Sequence, residues 1–240
     1  SARWSTREGL ANSGVLSLFE DRAEVLWIGT QAGLSRFAAQ RFTHYTTADG
    51  LPDNSVRAIT QDAAGDLWLG TAAGLGRLRD GKFTAWSRRD GLPSDPVQTL
   101  LAGADGGLWI GTLDGGLSRF RDGRFINYST RHGLPDNSIT AILDDGAGYL
   151  WLGTGRGVCR IAHPELDAFA EGRQSRIECV TYLTRDGLAS NQGSAGQPAG
   201  IKSADGRLWF ATAHGVSVVN PQQIRRNRVP PPVAIEEFSI

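Results

Sequence analysis

The chain of 240 residues lacks methionine altogether, even at position 1, and has only two cysteines and two lysines. We therefore expect a processed or excised segment of a longer protein. No apolar run approaches the roughly 20 residues that a membrane-spanning helix needs, and the first residues show no signal-peptide pattern. The sequence thus predicts no membrane span within this segment.

An excess of charge of either sign is also lacking, because 25 basic residues balance 25 acidic ones. This balance gives no electrostatic reason to expect a nucleic acid or an anionic membrane as partner. The four histidines show neither the spacing of metal ligands nor a neighbouring cysteine, and no G-x-S-x-G segment is present. The glycine-rich segment at 153–157 has no following helix for a pyrophosphate. We therefore predict no metal, no cofactor and no nucleic-acid partner.

What is present is a repeat. The pentapeptide L-W-[IL]-G-T, diverged to LWFAT in its last copy, recurs with spacings of 41, 41, 42 and 58 residues, and its tryptophans are Trp27, Trp68, Trp109, Trp151 and Trp209. A second element is Gly-Leu after a charged residue or histidine, and its glycines are Gly9, Gly50, Gly91, Gly133 and Gly187. Each of the first four glycines lies 18 residues before its tryptophan. Such a period is typical of stacked repeat architectures.

Each unit contains four short strand-like segments separated by glycine-containing turns. Four strands in about 41 residues predict one blade of a β-propeller, and the sequence lacks the apolar spacing of helical repeats. The fold class is therefore all-β, a propeller of four-stranded blades with five repeat units. The five units would form either a closed five-blade ring or part of a seven-blade ring.

The second unit reads DGLPDNSV, DLWLGT and GLGRL at 49–56, 66–71 and 74–78, and is similar to the two-component regulator propeller repeat. Segments 206–210, 215–221 and 229–235 resemble the last blade of such a propeller and the first strand of the Ig-like, triple-tyrosine-type sandwich after it. The expected domains are the propeller at 1–228 and a truncated sandwich at 229–240. The blades are expected near 11–48, 52–89, 93–131, 135–185 and 188–220.

This resemblance implies a periplasmic sensor segment of a bacterial receptor with a histidine kinase or diguanylate cyclase output. The segment would bind a small molecule or an oligosaccharide without catalysing a reaction, and would reach the membrane only through absent downstream segments. The sequence leaves open whether the segment forms a homodimer. Two alternatives are a propeller lyase or glycosidase and a protein-interaction scaffold. Converging Asp, Glu or His side chains in the central pocket would favour the enzyme, whereas Asn, Gln and Arg would favour the sensor.

Candidate ligand residues come from polar departures from the repeat on the face that carries the blade-connecting loops, because loops on a rigid scaffold often bind ligands. Three lie in the hairpins between the second and third strands: Asp114, Arg156 and His214. Three more lie in the lengthened loop at 189–200 of the last unit: Asn191, Gln192 and Gln197. Arginine suits a carboxylate such as that of a uronic acid, and amides suit hydroxyl groups.

Three structural expectations complete the prediction. The repeated tryptophans should occupy equivalent buried positions between blades. The segment from Ala2 to Thr6 should pair as the missing outer strand of the last blade. The fourth unit carries 13 extra residues with a helix-compatible stretch at 164–170, and Cys159 and Cys179 should be diagonal neighbours, which leaves a disulfide between them open.

Overall fold

The computed structural model describes residues 4–194 and 196–224, and within them nineteen strands form five antiparallel sheets. The first sheet contains β1 (Val15–Glu20), β2 (Leu26–Thr30), β3 (Gly33–Ala38) and β4 (Arg41–Tyr45). The second contains β5 (Val56–Gln61), β6 (Leu67–Thr71), β7 (Gly74–Arg79) and β8 (Lys82–Trp86). The third contains β9 (Val97–Ala102), β10 (Leu108–Thr112), β11 (Leu117–Arg121) and β12 (Arg124–Tyr128).

The fourth sheet contains β13 (Ile139–Asp144), β14 (Tyr149–Thr154), β15 (Gly157–Ala162) and β16 (Val180–Tyr182), with helix α1 (His163–Ala170) between its last two strands. The fifth contains β17 (Gly200–Lys202), β18 (Leu208–Thr212) and β19 (Gly215–Val219). Strands follow chain order within each sheet, and the first strands β1, β5, β9, β13 and β17 contact one another in succession. The molecule is a β-propeller of five blades around a common axis, which confirms the predicted fold class.

A left-handed glycine ends the short 3-10 turn that leads into each blade. In the turn Thr47–Asp49, the Asp49 carboxylate accepts the backbone N–H of Thr46 at 2.8 Å, and Gly50 follows with φ 103°. Glycine adopts this conformation at little steric cost. The same turn precedes each of the other blades, and Leu51 after it is buried. The repeated acidic residue or histidine before Gly-Leu is therefore a cap of this turn.

The repeated tryptophans occupy equivalent positions on the second strand of each blade, as predicted. Trp68 donates its indole N–H to Asp62 at 2.8 Å and contacts both the Arg77 guanidinium, at 5.6 Å, and Trp86, at 5.5 Å between ring centroids. The first four tryptophans are buried, whereas Trp209 in the three-stranded last blade is half-buried. An arginine also lies opposite the tryptophan in each of the first four blades, namely Arg36, Arg77, Arg119 and Arg160. Each of these arginines lies over its tryptophan ring, at 5.0 to 5.9 Å from the ring centroid.

The glycine of the pentapeptide lets neighbouring blades approach closely. A Cβ atom at Gly70 would lie 2.6 Å from Cγ1 of Val97, the first residue of the next blade's inner strand. Val97 is fully buried by this contact, as are the equivalent Val56 and Ile139. The boundaries after the first, second and third blades are thus closely packed apolar seams.

The boundary between the last and first blades is not packed in this way. On β1, Val15 is 43% exposed and Leu18 is 53% exposed, whereas the equivalent Val56 and Ile59 on β5 are at most 1% exposed. At the other end of the chain, Val216 on β19 is 59% exposed. The ring of five blades is therefore open along one side.

The N-terminal segment packs on the first blade, beside this opening. Trp4 packs on Phe37 and Phe42 of the first blade, with centroid distances of 4.9 and 5.7 Å. Tyr45 contacts Phe83 of the next blade in the same way. Thr6 already begins a 3-10 turn, and within the described residues β19 pairs only with β18. Ala2 and Arg3, like the expected sandwich segment at 229–240, lie outside the described residues, so the strand pairing of 2–6 stays a prediction.

The insertion in the fourth blade forms the predicted helix, α1, which has proline in its first turn. Cys159 pairs across the ladder with Thr181, so Cys179 is its diagonal neighbour as expected. Both cysteines are free thiols in the structure.

Candidate functional site

In each of the four four-stranded blades, a bulge near the start of the inner strand leaves one residue outside the regular ladder. In the second blade Val56 pairs with Thr71 and Ala58 pairs with Gly70, which leaves Arg57 as the extra residue. The equivalent bulged residues in the other three four-stranded blades are Leu16, Gln98 and Thr140. A bulge redirects a side chain relative to the regular alternation of a strand. These positions are therefore the ones that the fold presents to the axis.

Three of the bulged residues line one cavity of about 340 Å³ at the axial mouth. Its lining residues are Leu16, Gln31, Ser55, Arg57, Gln98 and Gly196. Gln31 lies in the hairpin between β2 and β3, and Ser55 lies in the loop before β5, so the cavity opens on the loop face predicted for ligands. We call it the axial pocket.

The polar side chains of the axial pocket have no hydrogen-bond partners among the described residues. Within the described part of the chain, neither the Arg57 guanidinium nor the Gln98 amide has a hydrogen bond or ion pair, and both side chains are half-buried. The Gln31 side chain is exposed and also makes no hydrogen bond there. A planar cation between two amides can bind a carboxylate in two-pronged fashion while the amides bind hydroxyl groups.

The lengthened loop at 189–200 lies across the axis beside this pocket. Gln197 pairs with Ser17 on β1, and its side-chain amide also makes two hydrogen bonds to the backbone of Ile59 on β5, at 2.9 and 3.0 Å. Gly193 donates to the Thr154 carbonyl at 2.9 Å. The loop therefore contacts the first, second and fourth blades, and the predicted ligand residue Gln197 uses its amide to hold it.

Asn191 has a structural role as well. Its side-chain oxygen accepts the backbone N–H of Thr184 at 2.7 Å. Asn54, Asp95 and Asn137 make the same bond in their blades. Asn191 thus follows the repeat, and the expectation that it departs from the repeat was wrong.

The other four predicted residues lie on the loop face and are all exposed. Asp114 accepts a hydrogen bond from the Ser94 hydroxyl, and Nδ1 of His214 lies 3.4 Å from the Ser190 hydroxyl. Gln192 occupies in the last blade the position of Ser55 in the second, with the same backbone bond to the neighbouring hairpin. Arg156 lies in the hairpin equivalent to that of Gln31. The structure does not place any of them among the residues that line the axial pocket.

The lining of the axial pocket offers no group for acid–base catalysis or for a metal ion. The lining of the axial pocket includes no Asp, Glu or His. Across residues 4–194 and 196–224, no three His, Cys, Asp or Glu side chains are placed to hold a metal ion. In the same ranges, no helix has the length and apolar character to cross a bilayer. Fold and pocket together define a β-propeller with a cavity at its axis whose polar side chains have no hydrogen-bond partners among the described residues.

Comparison with known proteins identifies the repeat. The family model for the two component regulator propeller matches residues 9–32, 50–73, 91–114 and 133–156. Four of the five predicted repeat units therefore match the two-component regulator propeller, which confirms the predicted resemblance. No curated protein sequence matches this chain.

The chain is similar in structure to extracellular domains of bacterial signalling systems. It is 26% identical, with a TM-score of 0.73, to the extracellular domain of a protein assigned to a hybrid two-component system of B. thetaiotaomicron. The alignment covers 86% of this chain and 28% of that protein's chain. An extracellular domain from a one-component system of the same organism is 19% identical, with a TM-score of 0.66 and coverages of 90% and 29%. The chain thus spans less than a third of either.

Propeller enzymes are similar in fold alone. Virginiamycin B lyase from Staphylococcus aureus is 20% identical, with a TM-score of 0.65, over 90% of this chain and 70% of the lyase.

Proposed function

We propose that the chain is the ligand-sensing propeller of a bacterial signal-transduction receptor, located in the periplasm and acting by binding rather than by catalysis. The observation that carries this proposal is the axial pocket, in which Arg57 and Gln98 have no hydrogen-bond or ion-pair partner among the described residues. An unpaired guanidinium among amides provides recognition groups but no general acid or base near neutral pH. The similarity to extracellular sensor domains supports the same function.

The ligand class follows from the chemistry of the pocket. Arg57 suits a carboxylate, and Gln31, Ser55 and Gln98 suit hydroxyl groups. A cavity of about 340 Å³ is at the small end of ligand sites, which run from roughly 300 to 1,000 Å³. We therefore propose an acidic oligosaccharide with one uronic acid residue in the pocket. Neighbouring sugar units would extend over the loop face toward Arg156 and Gln192, with Asp114 and His214 at the rim.

Titration calorimetry with a galacturonic acid trimer and a neutral galactose trimer of equal length tests this assignment. The acidic trimer should bind more tightly, and Arg57→Ala should remove most of that preference with a loss of about tenfold or more, or at least ~1.4 kcal/mol. Gln98→Ala should weaken both trimers. The matched control is Arg124→Ala, because Arg124 is an exposed arginine on the outer strand β12.

Two outcomes would refute parts of the proposal. Equal binding of the acidic trimer by the parent and by Arg57→Ala would remove the axial pocket as the site. Cleavage of either trimer, detected as new reducing ends, would favour the lyase or glycosidase alternative.

A further inference from the structure

A second cavity lies at the opposite end of the blades, where the repeat is broken in the third blade. Six residues before the tryptophan, the other blades carry an oxygen acceptor for its indole N–H. The acceptors are Asp21, Asp62 and Asp145 at 2.8, 2.8 and 3.0 Å, and Ser203 at 2.9 Å. The third blade has Gly103 at this position. Within the described residues, the Trp109 indole N–H therefore has no acceptor.

The missing side chain coincides with a cavity of about 260 Å³. Its lining residues are Gly103, Ala104, Asp105, Trp109, Arg119, Asp144, His163 and Asp167. We call it the blade-three cavity. It does not share a residue with the axial pocket.

The insertion of the fourth blade closes one side of this cavity. Helix α1 supplies His163 and Asp167, and it is fixed to the third blade because the Tyr128 hydroxyl donates to the Leu166 carbonyl at 3.0 Å. Phe169 packs on the Tyr128 ring at 5.0 Å between centroids. Two separate departures from the repeat, a lost side chain and an added helix, thus meet at one place.

Most polar groups around the cavity already have partners. The Arg119 guanidinium bonds to Asp105 and, at 2.7 Å, to Asp167. Nε2 of His163 lies 2.9 Å from a carboxylate oxygen of Asp144. Two donors are the exceptions within the described residues: the indole N–H of Trp109, a residue that is 2% exposed, and Nε of Arg119, which is buried. Both donors belong to residues that line the cavity, so an occupant that accepts hydrogen bonds would satisfy them.

We propose that the blade-three cavity binds a small neutral polyol, with one hydroxyl accepting from Trp109 and others donating to the surrounding carboxylates. A hydroxyl both donates and accepts, so it satisfies an indole N–H and carboxylates together. An ammonium ion has no acceptor for the indole. An anion would face three carboxylates against one arginine and a histidine. The volume lies just below the roughly 300 Å³ at which ligand pockets begin, which limits the occupant to the range from glycerol to one sugar ring.

The chain itself supplies the matched variant. Gly103→Ser converts the turn Gly103-Ala104-Asp105-Gly106 into the Ser-Ala-Asp-Gly turn that the last blade already forms at 203–206. In that blade the serine hydroxyl accepts the tryptophan N–H and donates to Asp205 at 2.5 Å. A side chain at Gly103 requires the Asp105 carboxylate to move, because its oxygen lies 2.6 Å from the Cβ position, and the Gly107 carbonyl oxygen, at 3.1 Å, to shift slightly.

The experiment follows the indole N–H resonances of the seven tryptophans during titration with glycerol, myo-inositol and, separately, sodium acetate. The Trp109 resonance is identified by its absence from Trp109→Phe. In the parent, glycerol or myo-inositol should shift this one resonance saturably. In Gly103→Ser the resonance should lie at the position of a hydrogen-bonded indole, and affinity should fall at least tenfold. Arg57→Ala should titrate like the parent, which separates this cavity from the axial pocket.

Three results would overturn the proposal. No saturable shift with either polyol would mean that the cavity holds water only. An unchanged titration in Gly103→Ser would place the effect elsewhere. A saturable shift with acetate alone would show that the cavity is an anion site.

Discussion

The side-chain amide of Gln197 and the backbone of Ile59 form a two-pronged pair across the centre of the propeller, although 138 residues separate them in the chain. Ile59 lies on an inner strand, whose axial edge has no further strand to pair with its N–H and C=O groups. The amide takes the place of such a strand. The last blade's loop is thereby fixed to the second blade.

Loss of this pair should destabilise the fold. Gln197→Ala leaves the N–H and C=O of the buried Ile59 without partners, which should lower the free energy of unfolding by about 1–3 kcal/mol. Urea unfolding followed by tryptophan fluorescence measures it. Gln98→Ala is the control, because Gln98 makes no hydrogen bond within the described residues, and equal stability of the two variants would contradict the prediction.

Stability should fall in acid through carboxylates such as Asp21. Although burial acts to raise the pKa of Asp21, its bonds to the Trp27 indole and to the backbone N–H groups of Val25 and Ala23 outweigh burial and lower that pKa. The contribution is therefore complete above the unfolded pKa of about 3.9 and is lost as the pH falls toward the lower folded value.

Asp21→Asn provides the comparison for this pH effect. At neutral pH it should be less stable than the parent, and the gap should narrow between about pH 5 and pH 2 as the parent carboxylate becomes protonated. Urea unfolding at a series of pH values measures the gap. A gap that is constant over this range would exclude Asp21 as a contributor.

The two cysteines should differ in reactivity. Burial raises the pKa of the Cys159 thiol, whereas a hydrogen bond from Cys159 lowers the pKa of the Cys179 thiol despite its partial burial. A thiol-specific reagent should therefore label Cys179 first in the native protein, and Cys159 only after unfolding. Cys179→Ser should remove the fast phase. Fewer than two thiols in the unfolded, unreduced chain would instead show that the pair forms a disulfide.

The open side of the ring should make the isolated chain self-associate. Val15 and Leu18 at one border and Val216 and Val218 at the other are exposed apolar side chains on strands, and such surfaces promote association. Sedimentation at increasing protein concentration should show a rising mean mass. Leu18→Ser combined with Val216→Ser should reduce it, and Val180→Ser on the outer strand β16 is the matched control. A concentration-independent monomer would contradict this prediction.

The fold was predictable because its determinants are local and repeated. A tryptophan every 41 or 42 residues, with a left-handed glycine 18 residues before it, defines both the blade and the turn that leads into it. The sequence left a closed five-blade ring and part of a seven-blade ring as alternatives, since Val15 occupies the same place in its repeat as Val56 and differs in lacking a covering blade.

The axial pocket was missed for a geometric reason. Regular alternation directs Arg57 away from the side of the strand that carries Val56 and Ala58, and the bulge directs it to the axis instead. One usable indication was present: the position of Arg57 varies among repeats, as Leu16, Gln98 and Thr140 show, while the preceding residue is always Val or Ile. Asn191, in contrast, lies at a position that does not vary in this way. Its match to Asn54 and Asn137 in the sequence already indicated a structural role.

The bond between Gln197 and Ile59, which lie far apart in the chain, has a consequence for folding kinetics. Pairing within a blade and packing between successive blades need only short loops to close, whereas its bond to Ile59 must close 138 residues at a greater entropic cost. We therefore expect the blades to form in succession and the loop to dock last. An interaction that forms after the folding transition state affects the unfolding rate rather than the folding rate. The central loop is then a determinant of how long the assembled propeller persists, not of how fast it assembles.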